Sequence, residues 1–286
     1  MPGWRILCDG NKQNLLLRSP LIAGSGAVAG ITSMEVDCEF GAVMTPLLCS
    51  AEASRLPQAL GRTTAGYLVP TRYGCQSWGS ARRAYRRAKR GSAPIVAVVA
   101  PDAPAYAARM VAELITWESI QAIALYPQAA EITAVTQIVE IVADQTDIPI
   151  WLRLPAFQPG VWVAALEHIK VAAYIVATPL PGKARLPNGR TIAGELHTPA
   201  LMPYFAQLIS EIHSEIPIIA RADASSTSDV LALLAAGAKL VILEGALWAI
   251  PDLGKVILSD LEALSERFGT GHDWDAFLSH LRATPA

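Results

Sequence analysis

Eight short apolar runs, each followed by a longer segment with helical character, constrain the fold of this chain most strongly. The runs begin at Leu21, Ala42, Ile95, Ile120, Ile150, Ala173, Ile218 and Leu240. Most of them are continuously apolar rather than alternating, which is typical of parallel strands that helices cover on both faces. Eight strand–helix repeats within 286 residues predict an α/β fold, a single (β/α)8 TIM barrel over residues 1–286.

The segments between the runs carry apolar residues at three- and four-residue spacing, as in APAYAARMVAELITW and AEITAVTQIVEIVADQT. In TPALMPYFAQLISEIHSEI, Thr198 is the predicted N-cap and Pro199 the first helical residue. SSTSDVLALLAAGAK begins on capping residues, and Gly237 is its predicted end. These boundaries predict helices between successive strands.

Two regions exceed a minimal barrel. Residues 49–92 contain no clear core strand and are predicted to form an excursion with its own helix, which carries the basic run RRAYRRAKR at 82–90. Residues 178–197 follow the sixth strand and are predicted to form a long loop on the top face. A loop of that length inside a compact domain usually has a function or is mobile.

Composition narrows the class of protein. Hydrophobic residues make up 52% of the chain, charged residues 17%, and the net charge is -2. This balance predicts a large closed core and argues against disorder and against nucleic-acid binding. The four cysteines include no C-x-x-C pair, so we expect neither a zinc site, nor any other metal site, nor a disulfide framework, and the default setting is cytoplasmic.

Nothing in the sequence predicts export or membrane insertion. The N-terminal residues lack the apolar stretch of a secretory signal. The most membrane-like window, VLALLAAGAKLVILEGALWAI, contains Lys239 and Glu244, and Gly237 divides it into a helix and a strand. A spanning helix would bury both charges, so no membrane segment is expected.

Several segments, in their order along the chain, resemble the dihydroorotate dehydrogenase family of FMN-dependent barrel enzymes. They are NLLLRSPLIAGSG, FGAVMTPLL, GELHTPALMPYFAQLI and IPIIARADASSTSDVLALLAAGAKLVILEGALW, and the resemblance covers roughly residues 14–250. It implies a barrel fold and a flavin or anion site at the top face. The positions that it assigns to this site are Ser25, Gly26, Arg153, Arg221 and Gly245.

The reaction end of the resembled site has changed. Ile123 stands where the family has an Asn, Tyr126 stands in the loop that bears the base, and Pro46 replaces a Lys. Arg153 replaces a second Lys and keeps its positive charge, with a different donor geometry. The catalytic residue is therefore unknown. Tyr126 is a weak candidate, because a phenol with a pKa near 10 is a poor base at neutral pH.

The phosphate end has changed as well. Ala222 and Asp223 replace the glycine pair whose backbone amides hold the FMN phosphate, and Glu244 precedes the retained Gly245. An acid close to a phosphate would be repelled by about 4 kcal/mol at ~4 Å with an effective dielectric near 20. Arg221 could offset this repulsion if its side chain turns inward.

Several polar residues keep two interpretations. Arg153 either supports an anionic ligand or forms an ion pair at the barrel rim, and Tyr126 either packs in its loop or moves protons. Asp223 and Glu244 either share a cation or proton or lie at the surface.

Two further groups also keep two interpretations. One consists of His197 with Lys183, Arg185 and Arg190, which either forms an anion-binding lid or belongs to a solvated loop. The basic run predicts an exposed helix face at a protein interface rather than a nucleic-acid site.

Two hypotheses of function follow. In one, the chain is a barrel that has lost cofactor and chemistry and acts as a subunit or scaffold, not as an ordinary dihydroorotate dehydrogenase. In the other, it is a divergent FMN-dependent oxidoreductase acting on a small organic substrate. Whether FMN binds, which substrate and electron acceptor are used, and whether the chain forms a homo- or hetero-oligomer stay open at this point, as does whether it is an enzyme.

Overall fold

The computed structural model describes residues 4–9, 13–24, 39–49, 61–63, 66–70, 76–86, 93–129, 131–185, 189 and 191–283. The strands, in chain order, are β1 (Ile6–Cys8), β2 (Leu15–Leu17), β3 (Leu21–Ala23), β4 (Ala42–Met44), β5 (Leu48–Cys49), β6 (Gly61–Thr63), β7 (Gly66–Pro70), β8 (Gln76–Ser77), β9 (Ile95–Val99), β10 (Ile120–Leu125), β11 (Ile150–Arg153), β12 (Ala173–Val176), β13 (Leu180–Arg185), β14 (Thr191–His197), β15 (Ile218–Ala220) and β16 (Leu240–Leu243).

Eight of these strands close into a parallel barrel. Their order around the barrel is β3, β4, β9, β10, β11, β12, β15 and β16, and β16 pairs back with β3. All eight neighbouring pairs are parallel. Every predicted strand is present where the sequence indicated it, so the (β/α)8 prediction is confirmed.

Helices follow the barrel strands. In chain order they are α1 (Trp78–Arg86), α2 (Pro104–Leu114), α3 (Ile132–Gln145), α4 (Pro159–Ala165), α5 (Met202–Ser210), α6 (Thr227–Ala236), α7 (Gly245–Ala249), α8 (Leu253–Phe268) and α9 (Trp274–Ala283). A 3₁₀ turn, Pro199–Leu201, precedes α5. The predicted helices after β9, β10, β14 and β15 are confirmed.

The capping residues have the predicted roles. The side chain of Thr198 accepts a hydrogen bond from the backbone N–H of Ala200. Ser226 accepts one from the N–H of Asp229 at the start of α6. Gly237 ends α6 with a φ of 126°, a backbone conformation that favours glycine.

The apolar strands are buried as continuous runs because helices cover the outside of the barrel and side chains fill its inside. All four residues of β12 and all four of β16 are buried. Helix α3 turns Val135, Ile138 and Val142 towards this core at helical spacing.

Strands from the two regions that exceed a minimal barrel pair in one antiparallel sheet. Residues 178–197 do not form a long irregular loop: most of them lie in the β13–β14 hairpin. Strand β7, which belongs to the excursion, pairs with β14, and β6 pairs with β7. The sheet order is β13, β14, β7 and β6. The described strands β6 and β7 of the excursion therefore extend the β13–β14 hairpin into one sheet.

The predicted basic helix is present over the described part of its run. Helix α1 contains Arg82 and Arg83, whose side chains are exposed, whereas residues 87–90 lie outside the described residues. Among the described residues, every helix is too short or too polar to cross a membrane.

Candidate functional site

Charged side chains converge at the end of the barrel where the parallel strands terminate. Arg153 is the last residue of β11, Arg221 and Asp223 follow β15, and Glu244 follows β16. Strand β14 adds Glu195 and His197, and Tyr126 follows β10. We call these seven residues the mouth cluster. Because the carboxyl ends of all eight strands lie at one end of a (β/α)8 barrel, residues distant in sequence meet there.

Arg221 lies at the centre of the mouth cluster. Its Nε and Nη2 atoms lie 2.8 and 2.7 Å from Oε2 of Glu244, and Nη2 also lies 2.9 Å from Oε2 of Glu195. Burial would lower the pKa of Arg221, but the charges of Glu195 and Glu244 raise it well above its ordinary value. Arg221 therefore stays cationic although it is only 6% exposed.

Glu195 bridges the two arginines. Its Oε1 accepts a hydrogen bond of 2.6 Å from Nη2 of Arg153, while Oε2 contacts Arg221. Burial alone would raise the pKa of Glu195, yet the positive charges of Arg221 and Arg153 outweigh it and lower that pKa to about 2. Glu195 is thus an ionised carboxylate that ties β14 to the ends of β11 and β15.

His197 and Asp223 form a buried pair. Nδ1 of His197 lies 2.8 Å from Oδ1 of Asp223, and Nε2 lies 4.0 Å from Oε2 of Glu195. Burial would lower the pKa of His197, but the hydrogen bond and charge of Asp223, with the charge of Glu244, raise it above 6.5. These neighbours therefore stabilise the protonated imidazole more than water would.

Tyr126 packs beneath the two guanidinium groups. The Cζ atoms of Arg153 and Arg221 lie 5.0 and 5.6 Å from the centre of its ring, within the range of a cation–π contact. Burial raises the pKa of Tyr126 to about 12, and the arginine charges lower it less than burial raises it. The phenol is therefore neutral at physiological pH, a state that favours packing over catalysis by a phenolate.

Two glycines provide the space that the cluster occupies. A Cβ atom on Gly245 would lie 3.0 Å from Oδ1 of Asp223 and 3.3 Å from Nδ1 of His197. A Cβ atom on Gly24 would lie 2.8 Å from Cβ of Glu244. The space beside both glycines is therefore filled by acidic side chains and the histidine of this chain itself.

Four buried polar atoms at this end of the barrel have no hydrogen-bond partner among the described residues. They are Nη1 of Arg221, Oη of Tyr126, Oδ2 of Asp223 and Oγ1 of Thr178. Unpaired buried polar atoms are uncommon in proteins and each costs about 1–3 kcal/mol. Three of these atoms belong to the mouth cluster, so part of its hydrogen-bonding capacity is unused among the described residues.

The structure shows where several residues with two interpretations lie. Arg153 forms an ion pair at the rim, and the side chain of Arg221 turns inward. Asp223 and Glu244 are not surface carboxylates, because each is only 6% exposed. His197 is not part of a solvated loop: it ends β14 and is buried.

Other predicted site residues lie apart from the cluster or outside the described residues. Lys183 and Arg185 lie on β13, where they pair with Ala193 and Thr191 of β14, whereas Arg190 lies outside the described residues. Ser25 and Gly26 also lie outside it. Gly245 begins α7 beside Asp223 and His197.

Glu195 is the member of the site that sequence reasoning missed. It lies in the segment GELH and two residues before His197, so the two side chains share one face of a strand. A strand assignment for this segment would have revealed the pair, whereas a loop assignment concealed it.

Two arginines and His197 face three carboxylates in the cluster, so the positive and negative charges are equal in number only when His197 is protonated. An anionic ligand would have to compete with carboxylates already bound to both arginines. Within the described ranges, no group of three His, Cys, Asp or Glu residues is arranged to hold a metal ion.

No family model matches the chain, and no curated protein is significantly similar to it. The fold and the site therefore define a class only: a (β/α)8 barrel whose carboxyl end carries a buried cluster of ion pairs.

Proposed function

We propose that this barrel does not work with FMN as dihydroorotate dehydrogenases do, and that it acts as a non-catalytic subunit or scaffold. The proposal starts from the resemblance to that family, in which the same end of the barrel holds FMN and substrate. It is supported by what the side chains at that end contact in this chain.

One observation carries the proposal: the space beside Gly245 is filled by Asp223 and His197, and the space beside Gly24 by Glu244. In the resembled family, glycines at this end let the backbone approach the FMN phosphate. Here a phosphate would meet two buried carboxylates. At an effective dielectric near 20, each would oppose it by about 4 kcal/mol at ~4 Å.

The two arginines could offset this repulsion only at a cost in free energy, because both already bind carboxylates. Arg221 already binds Glu244 and Glu195, and Arg153 binds Glu195 through Nη2. A ligand anion that displaced one of these carboxylates would leave it buried without its cation, which costs about 3–5 kcal/mol. These residues therefore do not suit the phosphate monoester of FMN.

A second candidate is the divergent FMN-dependent oxidoreductase. Its support is that Nη1 of Arg221 has no partner among the described residues and that the Arg153 side chain is 23% exposed at the end of the fifth barrel strand. Both could face a ligand oxygen. The tests below separate the two candidates.

We expect the purified protein to be colourless and to bind added FMN no more tightly than riboflavin, which lacks the phosphate. Equilibrium dialysis with each flavin measures this comparison, and oxidation of dihydroorotate with an artificial electron acceptor measures the activity. Repulsion by Asp223 and Glu244 predicts equal or weaker binding of FMN, and no turnover.

Protein that purifies with bound flavin, or that binds FMN much more tightly than riboflavin, would contradict the proposal and support the second candidate. In that case Arg153→Ala should weaken FMN binding. Unchanged affinity would remove Arg153 from the flavin site.

A further inference from the structure

A groove of ≈ 660 Å³ lies between α1 and α2, on the outside of the barrel. Its lining residues are Trp78, Gly79 and Arg82 of α1 and Tyr106, Arg109, Met110, Ala112 and Glu113 of α2. None of them belongs to the mouth cluster. The groove is therefore a separate feature of the surface.

The lining of the groove combines apolar and charged side chains. Tyr106, Met110 and Glu113 recur at three- and four-residue spacing and share one face of α2. Met110 is buried and Tyr106 half-buried. Trp78 packs edge-on against Trp117, with ring centres 5.6 Å apart. This contact joins α1 to the residues that follow α2 and gives the groove a fixed aromatic wall.

The rim of the groove carries an excess of positive charge. Arg82 and Arg109 are exposed, whereas Glu113 is the one acid among the lining residues that the structure describes. Nη1 of Arg82 lies 3.5 Å from Oε1 of Glu113, and the same oxygen accepts a hydrogen bond from Nε1 of Trp117. The charge of Glu113 is thus already engaged, and Arg109 is left to face solvent.

The excess of positive charge is local to the groove, because the whole chain has a net charge of -2. The described part of the basic run, on α1, lies along one side of the groove, and Arg109 lies on the other. The partly exposed aromatic side chains of Trp78 and Tyr106, with cations on both sides, are complementary to a segment that has an apolar anchor between acidic residues.

We infer that this groove is the docking site for an acidic peptide segment of a partner protein, with an apolar side chain against Trp78 and Tyr106 and carboxylates beside Arg82 and Arg109. The inference rests on the proposed function, since it names the kind of partner that a non-catalytic barrel subunit would hold. A nucleic acid fits less well, because its many phosphates require more cations than Arg82 and Arg109 supply, and the chain as a whole has a net charge of -2.

The test uses a short fluorescein-labelled peptide of glutamates with one central leucine, and fluorescence anisotropy with the full chain. We expect saturable binding that Arg109→Glu weakens about tenfold, since charge reversal turns an attraction into a repulsion. A peptide with serine in place of the leucine should bind several-fold more weakly, because it loses the apolar anchor.

Arg267→Glu is the matched control. Arg267 is an exposed arginine in the last turn of α8, so its reversal changes the net charge equally without touching the groove. Its affinity should stay within about twofold of the unaltered protein. Both variants replace exposed side chains, so circular dichroism should show unchanged folding.

Equal weakening by the two reversals would overturn the inference, because it would show non-specific attraction. Binding that Arg109→Glu leaves intact, or no binding of the peptide, would overturn it too. A single-stranded oligonucleotide that binds more tightly than the peptide, with the same dependence on Arg109, would assign the groove to a polyanion instead. Flavin dialysis on the same preparation tests the proposed function separately.

Discussion

The mouth cluster and the α1–α2 groove both contain an arginine beside a glutamate, but they differ in burial. Arg221 is buried and lies 2.7 Å from Glu244, whereas Arg82 is half-exposed and lies 3.5 Å from Glu113. In the mouth, the charged side chains are mostly removed from water, and each carboxylate lies beside an arginine or the imidazole of His197. In the groove, positive charges outnumber the engaged acid and remain in water.

This difference determines what each region can do. A buried ion pair resists separation because either partner, left alone, would be an uncompensated charge in a medium of low polarity. An exposed pair is hydrated and exchanges partners at little cost. The mouth is therefore suited to joining the β13–β14 hairpin to the barrel, and the groove is suited to binding something else.

Removing the central cation of the mouth should have the largest effect on stability. We expect Arg221→Met to lower the free energy of unfolding by about 3–5 kcal/mol, because Glu195 and Glu244 would lose a shared buried cation. Urea denaturation followed by circular dichroism measures the change.

The double variant Arg221→Met with Glu244→Leu provides the control. It removes both members of one buried pair and replaces them with apolar side chains, so it should recover part of the lost stability. A single variant that unfolds at the same urea concentration as the unaltered chain would contradict the interpretation of Arg221 as the centre of the cluster.

The barrel could be predicted because its physical signals are local and repeated. Strand β12 reads AYIV and strand β16 reads LVIL, and runs of this kind suit a strand covered on both faces. Thr198 and Gly237 marked a helix start and a helix end through backbone chemistry that needs no distant partner.

The mouth cluster could be predicted only in part, because its contacts join distant residues. The end of β11 identified Arg153, but nothing local to it indicates Glu195, which lies 42 residues further along the chain. The assignment of residues 178–197 as a loop removed the alternation that places Glu195 and His197 on one face. The direction of the Arg221 side chain depended on acids that only the folded barrel brings close.

Breaking the His197–Asp223 pair should lower the free energy of unfolding by a smaller amount, which depends on pH. Since the pKa of His197 in the folded chain is raised above its ordinary value of 6.5, the pair contributes fully below pH 6.5 and its contribution falls as pH rises through the folded pKa. His197→Gln should therefore cost about 2 kcal/mol at the acidic end of this window and less at the alkaline end.

Urea denaturation at several pH values measures this trend. Asp223 and Glu244 raise the pKa of His197, and Arg221 opposes them, so Asp223→Asn should lower that pKa as seen by NMR titration of the imidazole. An equal cost of His197→Gln at every pH would mean that protonation does not contribute to the pair.

Removing Arg82, which pairs with Glu113 in the groove, should change the free energy of unfolding least. Arg82→Met breaks the contact with Glu113, but both side chains are substantially exposed, at 50% and 39%. Water replaces the lost partner of each charge, so the free energy of unfolding should change by at most about 1 kcal/mol. Urea denaturation under the conditions used for Arg221→Met makes the two costs directly comparable.

A cost for Arg82→Met as large as that for Arg221→Met would show that the groove is a structural ion-pair site like the mouth. A small cost for Arg82→Met, together with weakened binding of the acidic peptide, would place the energy of Arg82 in recognition rather than in folding.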